Sequence, residues 1–171
     1  MYGSAMRLAY PDVDHTQFMM ILGANPNVSG NTLYHLPRSR DRFAGIIQRG
    51  GRVVWINPRR VESARTGEHL FIRPDTDVFF LAAFCNEIFR RDALDHELIA
   101  RTMKNVDDLK EAVADWTPER QAEVTGITAD ALLELVDAYL AADGAALNMA
   151  TGVNQGRAVS GQIGVYQFQQ G

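Results

Sequence analysis

The sequence predicts an α/β fold: a doubly wound, mostly parallel, Rossmann-like sheet with extra helices between the third and fourth strands. Three observations predict it. Short apolar runs of strand length, Phe18 to Leu22 and Arg52 to Ile56, end at Gly23 and at Asn57-Pro58, as parallel strands buried on both faces do. A helical pattern lies between them, so they read as the two strands of a βαβ unit. After a long helical middle, the small-residue run Ala145 to Ala150 brings the chain back to the sheet.

Each element has a local reason. Leu33, Leu36, Phe43, Ile46 and Ile47 recur at spacings of three, four and seven around a polar face of Arg38, Arg40, Asp41, Arg42, Gln48 and Arg49, a crossover helix closed by Gly50-Gly51. The third strand, His69 to Arg73, stops at Pro74. The run Val78 to Phe89 that follows is apolar on nearly every face, and such a helix must be buried. Between Asp92 and Asp143 the helix signals are Asp95 before His96-Glu97-Leu98-Ile99, Thr117-Pro118 as cap and first-turn proline, Gly126 as a stop, and Thr128 before Leu132, Leu133, Leu135, Val136, Tyr139 and Leu140. The four strands are expected at about 18 to 22, 52 to 56, 69 to 72 and 145 to 149.

At 171 residues and 46% apolar content, residues 1–171 read as a single domain. Seventeen basic residues against 21 acidic give a net charge of -4, so no long-range field favours nucleic acid. No apolar stretch approaches the roughly 18 residues of a membrane span, because Asn86, Glu87, Arg90 and Arg91 interrupt the longest one. A single cysteine forms no internal disulfide and holds neither an iron-sulfur cluster nor a structural zinc by itself. Cys85 lies in the apolar helix and reads as a buried structural cysteine. His15, His35, His69 and His96 lack ligand spacing, and no nucleophile stands beside a base, so neither a metal site nor a catalytic residue is assigned.

The chemistry concentrates in four punctuated loops at strand ends, the crevice in which open α/β sheets bind nucleotides. Gly23, Ala24, Asn25, Pro26 and Ser29 make a loop whose backbone can approach a ligand closely, or serve as an ordinary strand-to-helix turn. It is not Gly-x-Gly-x-x-Gly, which disfavours an NAD site. Asn57, about thirty residues on, stands where such folds often place an acid on ribose hydroxyls, and can bond a ribose without the charge. After Pro58, Arg59 and Arg60 form either a pyrophosphate contact or a solvated basic turn. Asp75, Thr76 and Asp77 open the buried helix. One of them suffices as a cap, with Thr76 the candidate, which leaves a carboxylate to accept N1–H and N2–H of a guanine edge. Thr151, Gly152 and Gln155 follow the last strand, where Gln155 is either a surface residue or a contact to a pterin edge.

Four such loops in this order resemble the nucleotide-binding domain of the molybdopterin oxidoreductases, the dimethyl sulfoxide reductase family. That family typically shows Gly-x-Asn-Pro, Ile-Asp-Pro-Arg, Pro-Gly-Thr-Asp and a late Gly-x-x-Gln. The sequence matches at Gly23, Asn25 and Pro26, at Pro58 and Arg59, at Pro74, Thr76 and Asp77, and at Gly152 and Gln155. It departs at Asn57, where the family has Asp, and at Asp75, where the family has Gly. The similarity runs from about residue 14 to 156, and the stretch Ala112 to Gly126 is also similar to the family's helix followed by "TPE...TGI".

The resemblance implies a fragment of a larger prokaryotic oxidoreductase that binds one guanine dinucleotide arm of a bis(molybdopterin guanine dinucleotide) molybdenum cofactor. It implies that the molybdenum ligand, and any iron-sulfur cluster, belong to the remaining domains of the parent enzyme. The fragment is then inactive alone, and the face it turns to those domains is open to self-association. The parent's compartment, cytoplasm or periplasm, is left open. The alternatives are a free-standing guanine-nucleotide module, disfavoured by the lack of a Gly-x-x-x-x-Gly-Lys-Ser/Thr loop, and an NAD-type dinucleotide-binding domain.

Overall fold

The computed structural model describes residues 12–29 and 37–154. Its sheet contains β1 (Phe18–Leu22), β2 (Arg52–Asn57), β3 (Glu68–Phe71) and β4 (Ala145–Met149) in the spatial order β3-β2-β1-β4. Every pairing is parallel: Phe18 stands opposite Arg52 and Ala145, and Val54 opposite Glu68. The predicted fold class and all four strand positions are therefore observed.

Helices cover both faces, which is why β1 reads as an unbroken apolar run. Phe18, Met20, Leu22, Val54 and Ile56 point to one side, against α3 (Asp77–Arg90) and α7 (Ala129–Ala141), where they meet Phe80, Leu81, Phe84, Leu132, Leu135 and Val136. Met19, Ile21, Val53 and Trp55 point to the other. There they meet Phe43 and Ile46 of α2 (Ser39–Gln48) and Val61 and Ala64 around a 3-10 helix (Glu62–Arg65). Each such side chain, removed from water, contributes about 1.5 to 3 kcal/mol. The indole of Trp55 also donates to Thr66 O at 2.7 Å, so its one polar atom is satisfied within the core.

The helical middle comprises α4 (His96–Thr102), α5 (Val106–Val113) and α6 (Pro118–Thr125), ahead of α7. The caps read from the sequence form as hydrogen bonds. Asp95 accepts from Leu98 N at 2.8 Å, Thr117 from Arg120 N at 3.2 Å and Thr128 from Ala131 N at 3.2 Å. Gly126 ends α6 in the left-handed region at φ 80°, a conformation that disfavours residues bearing a Cβ. Asn86, buried in α3, donates to the carbonyls of Ala114 and Trp116 and so fastens the end of α5 to the core.

Three details differ from expectation or fall beyond view. The expected crossover helix is described only from Ser39, and Leu33 to Leu36 lie outside the described residues. The segment after β4 is a helical turn, α8 (Thr151–Asn154), rather than an open loop. Cys85 is half-buried rather than buried, although its apolar surroundings push the thiol up to about 11. Such a thiol stays protonated and inert.

Candidate functional site

Because all four strands are parallel, their carboxyl ends share one crest. The chain leaves β1 toward α2 on one face and reaches β4 through the helices of the other, so the boundary between β1 and β4 is the topological switch point. Gly23 and Gly152 meet there. Gly23 adopts φ +60°, its amide donates to Ile56 O at 3.1 Å, and its carbonyl accepts from Gly152 N at 3.1 Å. A Cβ on Gly23 would come within 2.7 Å of Val153 N, and one on Gly152 within 2.7 Å of Gly23 O. Both positions need glycine for close approach, and Gly23 needs it for φ as well. Ala24 and Pro26, of α1 (Pro26–Ser29), are buried beside this contact.

The β1 and β2 loops are stitched together by side chains. Asn25 Oδ1 accepts from Ser63 Oγ at 2.8 Å and Ser63 N at 3.3 Å, while Asn25 Nδ2 donates to Glu62 Oε2 at 2.5 Å. Asn27 N donates to Ser63 Oγ at 3.0 Å, and Ser29 Oγ donates back to Asn25 O at 3.1 Å. Neither Glu62 nor Ser63 is among the sequence-predicted site residues. The one available signal was Glu62 three residues after Arg59, and that spacing marks an ordinary ion pair as readily as a site. Arg59 does reach Glu62, at 3.4 to 3.5 Å, whereas Arg60 is exposed and forms no ion pair among the described residues.

Asn57 is turned inward. It is only 5% exposed, and its amide donates to Ala24 O at 3.4 Å. Its observed contact thus supports the β1 loop. Nearby, His69 holds Nε2 against Arg59 O at 3.0 Å while its buried Nδ1 has no partner. Burial pulls the His69 pKa down, the bond to Arg59 O opposes this, and the charge of Arg60 adds to the lowering.

At the third loop, Asp75 takes φ +66°, the left-handed conformation, at the position where the resembling motif has Gly. Thr76 occupies the N-cap position of α3, but the expected capping bond is not made. Its backbone, at φ -118° and ψ 6°, lies outside the extended conformation usual for a cap, and its hydroxyl donates to Arg73 O at 2.7 Å. Asp77, the first residue of α3, is 8% exposed. Desolvation pushes its carboxyl above the ordinary range, a main-chain hydrogen bond at Asp77 itself opposes this, and the charge of Asp75 raises it further. The loop is anchored from behind. Arg73 N donates to Thr125 O at 2.8 Å, and the Arg73 guanidinium donates to the carbonyls of Glu123 and Val124 at the end of α6.

At the fourth loop Gly152 is in place, while Gln155 lies outside the described residues. Four residues before Gly152, on β4, Asn148 is buried and its Nδ2 has no hydrogen-bond partner. Among the described residues no group of three or more His, Cys, Asp or Glu side chains can hold a metal ion, and no helix is long and apolar enough to cross a membrane.

No protein-family model matches the chain. Curated relatives do. The chain is 27% identical over 156 residues to the F420-dependent formate dehydrogenase subunit alpha of Methanocaldococcus jannaschii, which covers 90% of this chain and 22% of the relative. It is 24% identical over 152 residues to formate dehydrogenase H of Escherichia coli, covering 88% of this chain and 20% of that protein. The chain's relatives are molybdopterin oxidoreductases of the dimethyl sulfoxide reductase family. They belong to enzymes built on a molybdenum–molybdopterin cofactor, as the motif resemblance implied.

The chain spans about a fifth of the length of these relatives. Among solved structures, acetylene hydratase from Pelobacter acetylenicus superposes with a TM-score of 0.68 at 20% identity, covering 82% of this chain and 19% of that one. At that identity the likeness shows the fold.

Proposed function

We propose that this chain is part of a molybdopterin-dependent oxidoreductase and holds one guanine dinucleotide arm of a bis(molybdopterin guanine dinucleotide) cofactor, without catalysing alone. The observation that carries this reading is Asp77, a carboxylate kept largely from water at the carboxyl crest, whose pKa is raised. A carboxylate held from water is costly to a fold unless donors offset the cost; a main-chain hydrogen bond at Asp77 supplies one, and a guanine edge would supply two more.

Other features fit the same ligand. The close-packed glycines bring the first and fourth loops together at the switch point, and on β4 Asn148 keeps a buried Nδ2 without a hydrogen-bond partner. In this reading Gly23, Ala24, Asn25, Pro26 and Ser29 cradle the nucleotide and Pro58 shapes the next turn. Arg60 reaches the pyrophosphate more readily than Arg59, which Glu62 holds. Asp75 and Thr76 set the start of α3, Asn57 supports the first loop from below, Gly152 borders the far side, and Thr151 and Gln155 are assigned to the ligand from the sequence alone. When bound, the cofactor's molybdenum supplies the electron or oxygen-atom transfer in the whole enzyme. These residues bind and orient.

Titration calorimetry of the purified chain with guanosine, adenosine and nicotinamide-adenine nucleotides tests the reading. Guanosine diphosphate should bind more tightly than adenosine diphosphate, by about tenfold or more, because adenine lacks the two-donor edge. Equal affinity for the two, or a preference for NAD, would overturn it.

A further inference from the structure

The acid that dinucleotide-binding folds set at the end of their second strand, against the ribose hydroxyls, has an amide in its place here, and that amide faces inward: Asn57 is buried with its Nδ2 on Ala24 O. A ribose over this crest would meet no charged acceptor from β2. A carboxylate nevertheless stands beside the same loop. Glu62, in the first turn of the 3-10 helix, accepts from Asn25 Nδ2 at 2.5 Å, so its headgroup lies between the β1 and β2 loops.

We propose that Glu62 receives the vicinal hydroxyls of a bound ribonucleotide, taking over the role of the absent strand-end acid. This rests on the nucleotide-binding reading above and deepens it. A carboxylate offers about four lone-pair positions. Asn25 takes one and the main-chain hydrogen bond at Glu62 another, Arg59 approaches only at 3.4 to 3.5 Å, and the side chain is 49% exposed, so the remaining two positions can accept two hydroxyl protons. Its charge is secured locally. Main-chain hydrogen bonding at Glu62, then the Asn25 amide, then Arg59 hold its carboxyl below the ordinary carboxylate range. An ionised acceptor makes hydroxyl bonds roughly twice as strong as those to an amide, which is what a diol site gains from Glu in place of Asn. The bond to Asn25 also fixes the carboxylate to the loop that would cradle the phosphates, so sugar and phosphate positions are set by one hydrogen-bonded unit.

Calorimetric titration of the purified chain and of its Glu62→Gln variant, each with guanosine diphosphate and its 2′,3′-dideoxy analogue, tests the proposal. Gln keeps an oxygen to accept from Asn25. The unaltered chain should prefer the ribonucleotide by about tenfold, and the variant should bind the two within about twofold of each other with its dideoxy affinity unchanged. An unaltered chain indifferent to the diol would overturn the role of Glu62 while leaving the nucleotide site standing. A variant that weakens both ligands alike would also overturn it, since Glu62 would then only position the loop. If the unaltered chain binds neither nucleotide at millimolar concentration, the nucleotide-binding reading fails, and this proposal with it.

Discussion

Gly23 and Gly152 lie against one another at the switch point, joined by a 3.1 Å hydrogen bond from the amide of Gly152 to the carbonyl of Gly23, with no room for a Cβ on either. The two residues are far apart in the sequence, yet the ends of β1 and β4 meet through them. Alanine at either site must push the two loops apart. Overpacking of this kind costs about 1 to 3 kcal/mol, and Gly23→Ala adds about 1 to 2 kcal/mol for its left-handed backbone. Urea denaturation should therefore rank the unaltered chain above Gly152→Ala, and Gly152→Ala above Gly23→Ala. An unchanged midpoint for either variant would contradict the observed contact.

Asp77 gives a pH-dependent prediction. A carboxyl whose folded pKa lies above its ordinary value of 3.8 binds its proton more tightly in the folded state. The stability this adds is fully present below the unfolded pKa and is lost as pH rises through the folded one. Above the folded pKa the protein carries the penalty of a buried charge. Asp77→Asn should therefore unfold at higher urea than the unaltered chain at pH 7, with the difference shrinking toward pH 3.5. A variant less stable than the parent at pH 7 would show that the carboxylate has a partner in the fold.

The same substitution should harm binding. If Asp77 accepts the guanine edge, Asp77→Asn should weaken guanosine diphosphate by about tenfold or more, while Asp75→Asn, which keeps the size of the side chain and an acceptor oxygen, should bind within about twofold. Equal losses in the two variants would assign Asp77 to the helix start alone. A residue that destabilises the free protein and is needed for its ligand is the usual signature of a binding site.

Asp75 occupies a left-handed conformation at φ +66° and adds like charge near Asp77. Glycine adopts that conformation without the Cβ penalty, which outweighs its greater unfolded-state entropy, so Asp75→Gly should raise stability by about 0.5 to 1 kcal/mol. Thermal unfolding followed by circular dichroism reads this directly. A lowered midpoint would mean that the Asp75 side chain makes contacts worth more than the strain.

Metal content is the simplest measurement. With no group of three metal-ligating side chains among the described residues, the purified chain should carry no stoichiometric molybdenum or iron by elemental analysis. One metal per chain would require a site outside the roles assigned above.

Most of the fold was legible because its signals are local. Apolar runs bounded by Gly23, Asn57 and Pro74 gave strands at the observed positions, and Asp95, Thr117 and Thr128 cap the helices whose starts they mark. Parallel pairing of β1 with β2 and with β4 followed from the helical stretches between them, whereas β2 and β3 pair in parallel across a connection that holds only the 3-10 helix Glu62–Arg65. The loops of the candidate site were legible as places but less so as contacts. Nothing in the spacing of Asn25 and Ser63 says that 38 positions of chain separate two hydrogen-bonded side chains. Nor can composition reveal that Asn57 turns inward, or that the Thr76 hydroxyl bonds Arg73 O instead of capping α3. Those outcomes depend on how loops fold over one another, which sequence periodicity does not encode.

Arg73 has a wider consequence. Its amide and its guanidinium grip three successive carbonyls at the end of α6, the negative end of that helix dipole, four residues before the Asp77 carboxylate. The position of that carboxylate is therefore referenced to the helical cover as well as to the sheet, as a part is located by two datum surfaces rather than one. Any displacement of α6, whether by temperature, by a neighbouring domain or by substitution far from the crest, is passed to Asp77 through this short tether as well as through the packing of α3 on α6. Since misplacement by about 1 Å can cost a positioned group much of its effect, selectivity for the base becomes a reporter on the integrity of the cover.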